Sequence, residues 1–355
     1  MHWQDNAYER CSVANPSVKD LLKDPLWVPY SLQGDGVVFI EITTDTYKNS
    51  VFLDSRSQNL TGRQVVIPMN TLLSIPTPAL ETVGRHIFHI SHVGSTFAAT
   101  LLDRLPQVTV LREPQILREL AALSHGIRDG GSLLNLTRLK GLLHFTLAKL
   151  TQSGAHELII KNTSGNLTIA PLILSAYVTP PKAIGLYTSL LHFVAHGITS
   201  NGLKSDAVGN VGKRIGFLNR LADYDMLHAS SLNLLQIFSI TWMAEMMRLV
   251  SVAQSAPDFL MIHFDAMAGN KQLLTESVMR QFYPESSQET IASLIACDVW
   301  DKNAKHNDAF SFKDRQDKID RNAAQFHTEI ASCLKWAKMY CADNLSLRGL
   351  LAHID

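Results

Sequence analysis

His92-Val93-Gly94-Ser95-Thr96 lies in a run, Arg85 to Leu102, that passes from an apolar stretch through a short polar turn into an apolar helical pattern. Backbone N–H groups at such a helix start, reinforced by the helix dipole, cradle a phosphate or sulfate; Gly94 allows close approach, and Ser95 and Thr96 add hydroxyls. Against the nucleotide-binding pattern G-x-x-x-x-G-K-[ST], His89 stands at the first glycine and Ser95 at the lysine. A γ-phosphoryl group in transit would lack its main fixed cation, which argues against an ordinary ATPase or GTPase. Glu113, beside Pro114, is a candidate general base, because a carboxylate next to an apolar pocket can be tuned upward toward neutral pH; the alternative is an ion pair with Arg112 or Arg118. Lys161 ends an apolar strand and leads into Asn162-Thr163-Ser164, where a cation can steady a transferred anionic group, or simply reach solvent.

Other groups carry weaker signals. His86, His89 and His92 recur every three residues, but residues an odd number apart on a strand face opposite ways, so no metal is expected there. Asp265, after Phe259–Phe264, reads as a cap for the next helix; a rival reading makes it and Thr96 ligands for Mg²⁺ in a small-molecule kinase. Lys305 and Arg315 flank a polar stretch bearing aromatics, HNDAFSF.

Positioning these residues requires a sheet. Five short apolar runs, His86–Ile90, Val108–Leu111, Glu157–Lys161, Ala183–Tyr187 and Phe259–Phe264, read as buried parallel strands. Helical patterns at Thr96–Arg104, Gln115–Leu123, Leu136–Leu150, Leu167–Ala176 and Leu227–Val252 separate them, which implies a parallel sheet with helices on both faces and ligands at the carboxyl ends of its strands. Ahead of it, Val37–Thr43 and the VFLD that follows the turn around Tyr47–Ser50 read as two strands of a small appendage. The prolines Pro76 and Pro78 place a boundary near residue 80. The expected fold is thus α/β: a P-loop-type three-layer αβα domain over residues 81–355 with a mostly parallel five-stranded sheet, and a β-containing appendage over 1–80.

With 32 basic and 32 acidic residues, the chain has no global field to recruit nucleic acid or an anionic membrane, so any anion must be attracted locally. Leu232–Val252 is interrupted by Asn233, Gln236, Thr241, Glu245 and Arg248 and reads as a buried helix. The four cysteines form no C-x-x-C pair, and MHWQDNAYER lacks the features of a signal peptide, so a reducing, cytoplasmic setting is expected.

The order basic residue, one residue, Gly, two hydroxyl residues in His92–Thr96 resembles the donor loop of sulfotransferases. Leu102-Asp103-Arg104-Leu105-Pro106-Gln107-Val108, running on to Glu113, resembles a stretch of tyrosylprotein sulfotransferases and bacterial relatives in which a Glu is the general base. Phe259–Met267 and the region Lys305–Trp336 resemble the later parts of uncharacterised bacterial sulfotransferase-like proteins, so the resemblance spans roughly residues 84–340. It implies transfer of a sulfuryl group from 3′-phosphoadenosine 5′-phosphosulfate to a hydroxyl or amine of a small-molecule or peptide acceptor. It further implies that His92 touches the donor phosphates, Lys161 steadies the transferred group, Glu113 takes the proton, and Lys305 and Arg315 sit on a lid that supplies 3′-phosphate contacts. Where the family has an Arg and, eight residues on, a Ser, this chain has Thr188 and His196. The kinase is one alternative, and a non-catalytic nucleotide-binding scaffold is another.

Overall fold

The computed structural model describes residues 17–43, 46, 50, 52–57, 60–77, 79–81, 84–132, 134–152, 157–222, 227–302 and 312–355. Five strands form a parallel sheet: β4 (Arg85–His89), β5 (Val108–Arg112), β6 (Glu157–Lys161), β7 (Lys182–Tyr187) and β8 (Phe259–His263), in the order β5-β6-β4-β7-β8. Every residue of β5 is buried, as are four of the five in β4 and four of the six in β7. Successive side chains face opposite ways, so burial at this density requires cover on both faces, and this is why these strands read as continuous apolar runs. The chain leaves β4 toward β5 on one side and, after β6, crosses to β7 on the other. The carboxyl end of β4 is therefore the switch point where a crevice opens between diverging connections.

The small sheet is antiparallel, with β1 (Trp27–Gln33), β2 (Gly36–Glu41) and β3 (Gln64–Pro68) in that order. β2 answers to the expected Val37–Thr43 strand. VFLD does not form the second strand: over its described residues, Phe52–Asp54, the Leu53 N–H donates to the Arg112 carbonyl at 2.7 Å and the Leu53 carbonyl accepts from Gln115 at 3.0 Å. Its backbone is spent across the end of β5, and that is what carries Asp54, Arg56 and Phe52 to the crevice. The small sheet packs on the helices Gln115–Arg128 and Leu136–Gln152, where Phe39 meets Phe145 edge to face at 6.2 Å.

The expected long helix runs from Leu234 to Ser255, starts on a capping box between Asn233 and Gln236, and buries Trp242, Met243, Glu245 and Met246. Among the described residues no helix is long and apolar enough to cross a membrane. Among the described residues, Cys297, Cys333 and Cys341 form no disulfide, and the last two are buried in the core.

Candidate functional site

β4 ends at His89, and Ser91 to Gly94 turn the chain into the helix Ser95–Leu102. The turn requires left-handed backbone at two residues, His92 with φ 61° and Gly94 with φ 74°. Gly94 is needed twice over, because a Cβ there would also overlap the Phe264 ring. Gly94→Ala is expected to cost about 2–4 kcal/mol in denaturant melts, from left-handed strain together with overpacking. A loss below about 0.5 kcal/mol, the range of an ordinary surface change, would show that the turn is not held as described.

The loop is tied down from outside itself. The Ser91 N–H donates to Glu245 at 2.7 Å and the Ser91 hydroxyl to the other Glu245 oxygen at 3.1 Å. Arg214 in turn pairs with Glu245 at 2.7 Å and with Asp206 at 2.6 Å. From the other side, Arg315 donates to the His92 carbonyl at 3.3 Å and pairs with Asp265 at 3.0 Å. Nothing about the loop alone could reveal these anchors; the only sequence signal was a Glu and an Arg inside apolar or amphipathic helices.

His92, Val93, Gly94, Ser95 and Thr96 all line one cavity of about 770 Å³, together with Glu113 and Arg315. Val93 is fully buried, so its side chain offers a ligand no surface. Lys161 is 1% exposed and lies behind Glu113, with which it forms a buried ion pair. Lys305 lies outside the described residues. The cavity also takes in His89, His125, Arg248 and the aromatic wall of Phe97, Phe264 and Phe312.

Glu113 departs from the sequence expectation in two ways. Its partners are Lys161 and, at 2.6 Å, Arg56, in place of Arg112 or Arg118; Arg112 is turned away to Asp103 at 2.7 Å. Its pKa is also not tuned upward: burial pushes the carboxyl up, but Lys161, His89 and Arg56 outweigh that and leave it at about 2. Glu113 has φ 57°, an uncommon conformation for a side chain of this size and one that holds about 1–3 kcal/mol of strain. Left-handed non-glycine backbone occurs among the described residues at His92 and Glu113, both on the cavity wall.

The histidines divide as strand geometry requires. His86 is fully buried and satisfied, with Tyr177 at 2.9 Å and the Asn162 amide at 3.3 Å, and burial lowers its pKa to about 3. His89 faces the cavity; its Nδ1 meets the Ile90 carbonyl at 2.7 Å, and burial, helped by Lys161, lowers its pKa to about 4. Among the described residues no group of three or more His, Cys, Asp or Glu converges as metal ligands would.

Asp265 does not cap the helix Phe264–Ala268. The cap is His263, whose Nδ1 accepts from the Ala266 N–H at 3.1 Å. Asp265 instead accepts from Thr188 at 2.5 Å and pairs with Arg315; burial works against its charge, but bonds from His192, Arg315 and Thr188 prevail and hold its pKa below the usual carboxylate range. Thr188 and Arg315 are thus engaged with Asp265. A carboxylate so engaged is poorly placed to take a metal as the kinase reading requires. His196 stands against His92, with ring centroids 5.5 Å apart, and burial, with Arg315 and His92, lowers its pKa to about 3.

No protein-family model matches the chain, and no curated protein matches it. Among solved structures, the chain is similar to a sulfotransferase domain from the curacin biosynthetic pathway, at 11% identity over 70% of this chain and 99% of that one, with a TM-score of 0.40. It is also similar to sulfotransferase STF9 from Mycobacterium avium, at 12% identity over 72% of this chain and 79% of that one, with a TM-score of 0.36. Both likenesses are distant, and the functional reading rests on the cavity.

Proposed function

We propose that the protein is a sulfotransferase-like enzyme that moves a sulfuryl group from 3′-phosphoadenosine 5′-phosphosulfate to a hydroxyl or amine of an acceptor. The observation that carries this reading is a lysine-free anion loop at the switch point of a parallel sheet, opening on a cavity lined, among the described residues, by seven cationic side chains and three carboxylates. The cavity has room and chemistry for such a donor: backbone N–H groups and hydroxyls of His92–Thr96 for the sulfate-bearing end, His92, His196 and Arg315 near the loop for further phosphate, and Phe97, Phe264 and Phe312 for a base. In this reading residues 1–80 are an appendage that lends Arg56 to the site, and residues 81–355 carry the chemistry.

Sulfuryl transfer asks for in-line positioning and charge stabilisation more than for covalent help. The acceptor oxygen or nitrogen bonds to sulfur as the bond from sulfur to the bridging phosphate oxygen breaks, and the acceptor proton goes to Glu113. Glu113 is ionised and so able to receive it, but paired with Lys161 it is a weak base. Lys161, buried behind Glu113, would keep the carboxylate ionised and in place for the acceptor proton.

Thermal melting tests the donor. 3′,5′-Bisphosphoadenosine is expected to stabilise the protein without Mg²⁺ and to do so more than ADP or GDP. Stabilisation by ATP that depends strictly on Mg²⁺ would instead support the kinase.

A further inference from the structure

The chain has equal numbers of basic and acidic residues, yet among the described residues the cavity lining has a surplus of four cations over carboxylates. Its three carboxylates are already engaged, Glu113 by Lys161 and Arg56, and Glu245 and Asp206 by Arg214. Part of the surplus gathers around His125, on the helix that follows β5, where Arg248 and Lys213 line the cavity close enough to act on it, with the paired Arg214 beside Arg248.

Arg248 is the most exacting member of this group. Its guanidinium lies over the Phe217 ring at 4.0 Å, which fixes its plane. Its Nη2 is buried with no hydrogen-bond partner among the described residues. Burial lowers the Arg248 pKa to about 10; Glu245 opposes this, while Arg214, Arg128 and Arg220 reinforce it. His125, held by Thr168 at 3.1 Å, is lowered to about 4 by burial and by Arg248, Arg128 and Lys213. A buried cationic donor without an acceptor, surrounded by like charges, lacks one thing: an anion. Glu245 grips the start of the loop and Arg248 follows it on the same helix, less than one turn or about 5 Å along the axis.

We propose that this arm of the cavity is a second anion site, distinct from the loop, which takes a carboxylate or a sulfate-type oxyanion carried by the acceptor. Arg248 lines the cavity and carries a planar fork suited to such a group, and Lys213, exposed, adds attraction. Only the word acceptor rests on the sulfotransferase reading; the anion site does not.

The test is thermal melting in sodium sulfate against sodium chloride at matched ionic strength, with and without saturating 3′,5′-bisphosphoadenosine. Sulfate stabilises proteins generally by exclusion, so the quantity read is the difference between the parent protein and Arg248→Met. With the nucleotide bound, sulfate is expected to add a further stabilisation that Arg248→Met loses, its apparent sulfate affinity falling roughly tenfold or more while nucleotide affinity holds. Lys213→Gln, a change at an exposed position that leaves the fold untouched, is expected to weaken sulfate in the same direction. If nucleotide binding abolishes the sulfate effect, or Arg248→Met weakens the nucleotide as much as sulfate, the arm belongs to the donor and the proposal falls. If the nucleotide does not bind at all, the sulfotransferase reading fails separately. The second site is then judged by calorimetry, where two sulfate equivalents reduced to one by Arg248→Met sustain it and a single equivalent in the parent protein overturns it. Stabilisation by acetate as well as sulfate would assign the group to a carboxylate, and by sulfate alone to a tetrahedral oxyanion.

Discussion

Glu113→Gln is expected to slow turnover by about a hundredfold or more while leaving 3′,5′-bisphosphoadenosine affinity nearly unchanged, because the amide keeps the shape of the side chain and cannot accept a proton. The same substitution strips Lys161, which is 1% exposed, of its counter-charge. An uncompensated buried ammonium costs about 3–5 kcal/mol, so the variant should also melt earlier. Catalytic and structural losses can be separated through the partner. Lys161→Met alone should be destabilised for the reciprocal reason, whereas the double variant Lys161→Met/Glu113→Gln buries no unpaired charge and should recover much of the stability. Turnover should not recover with it. Activity measured below the melting range, against an acceptor found by screening phenols, alcohols, amines and sugars, decides the matter; a stable double variant with parental turnover would remove both residues from the chemistry.

Mild acid is expected to unfold the protein well before its carboxylates titrate. His86 and His89 are buried and neutral, with pKa values near 3 and 4, whereas an unfolded histidine titrates near 6.5. Below that pH the unfolded chain binds protons that the native chain refuses, so stability falls as pH falls, through the window from about 6.5 down to about 4. Each histidine contributes a slope of about 1.4 kcal/mol per pH unit, and the two together remove about 5 kcal/mol between pH 6.5 and 4.5. That is comparable to the whole stability of many domains, about 5–15 kcal/mol. Glu113, held at about 2, acts only lower down, since its contribution is present above the unfolded carboxyl value near 4.3 and is lost on further acidification. Denaturant melts at several pH values would show the slope, and His86→Gln should reduce it by about 1.4 kcal/mol per pH unit. A stability constant between pH 6.5 and about 5 would contradict the buried neutral assignment.

The parallel sheet was legible because strands buried on both faces must be apolar without interruption, and all five expected runs fall within a residue of β4 to β8. The small sheet was harder. β1 contains Pro29, at which its register with β2 slips, and β3 offers only the three apolar residues Val65–Ile67, of which Ile67 alone is buried. VFLD was misread because an apolar tetrapeptide bonding end-on to β5 looks the same in sequence as one pairing along its length. At the site, the carboxyl-edge rule brought out the loop and Glu113. The partnership of Glu113 with Lys161 was hidden, since it depends on β5 lying beside β6 with Arg112 opposite Lys161, a pairing that only the strand order creates. Arg315, singled out as a donor contact, lines the cavity, and its bonds to Asp265 and to the loop carbonyl of His92 were not legible because they join distant parts of the chain.

The way the loop is fastened bears on how the chain assembles. The Glu245 grip on Ser91 joins residues 154 apart in sequence, and the Arg315 bond to the His92 carbonyl joins residues 223 apart. Long-range contacts of this kind repay their closure entropy only after the intervening chain has condensed. The central strands can therefore pair while the cradle is still unformed, and a nascent or partly unfolded chain can possess the sheet without the capacity to hold an anion.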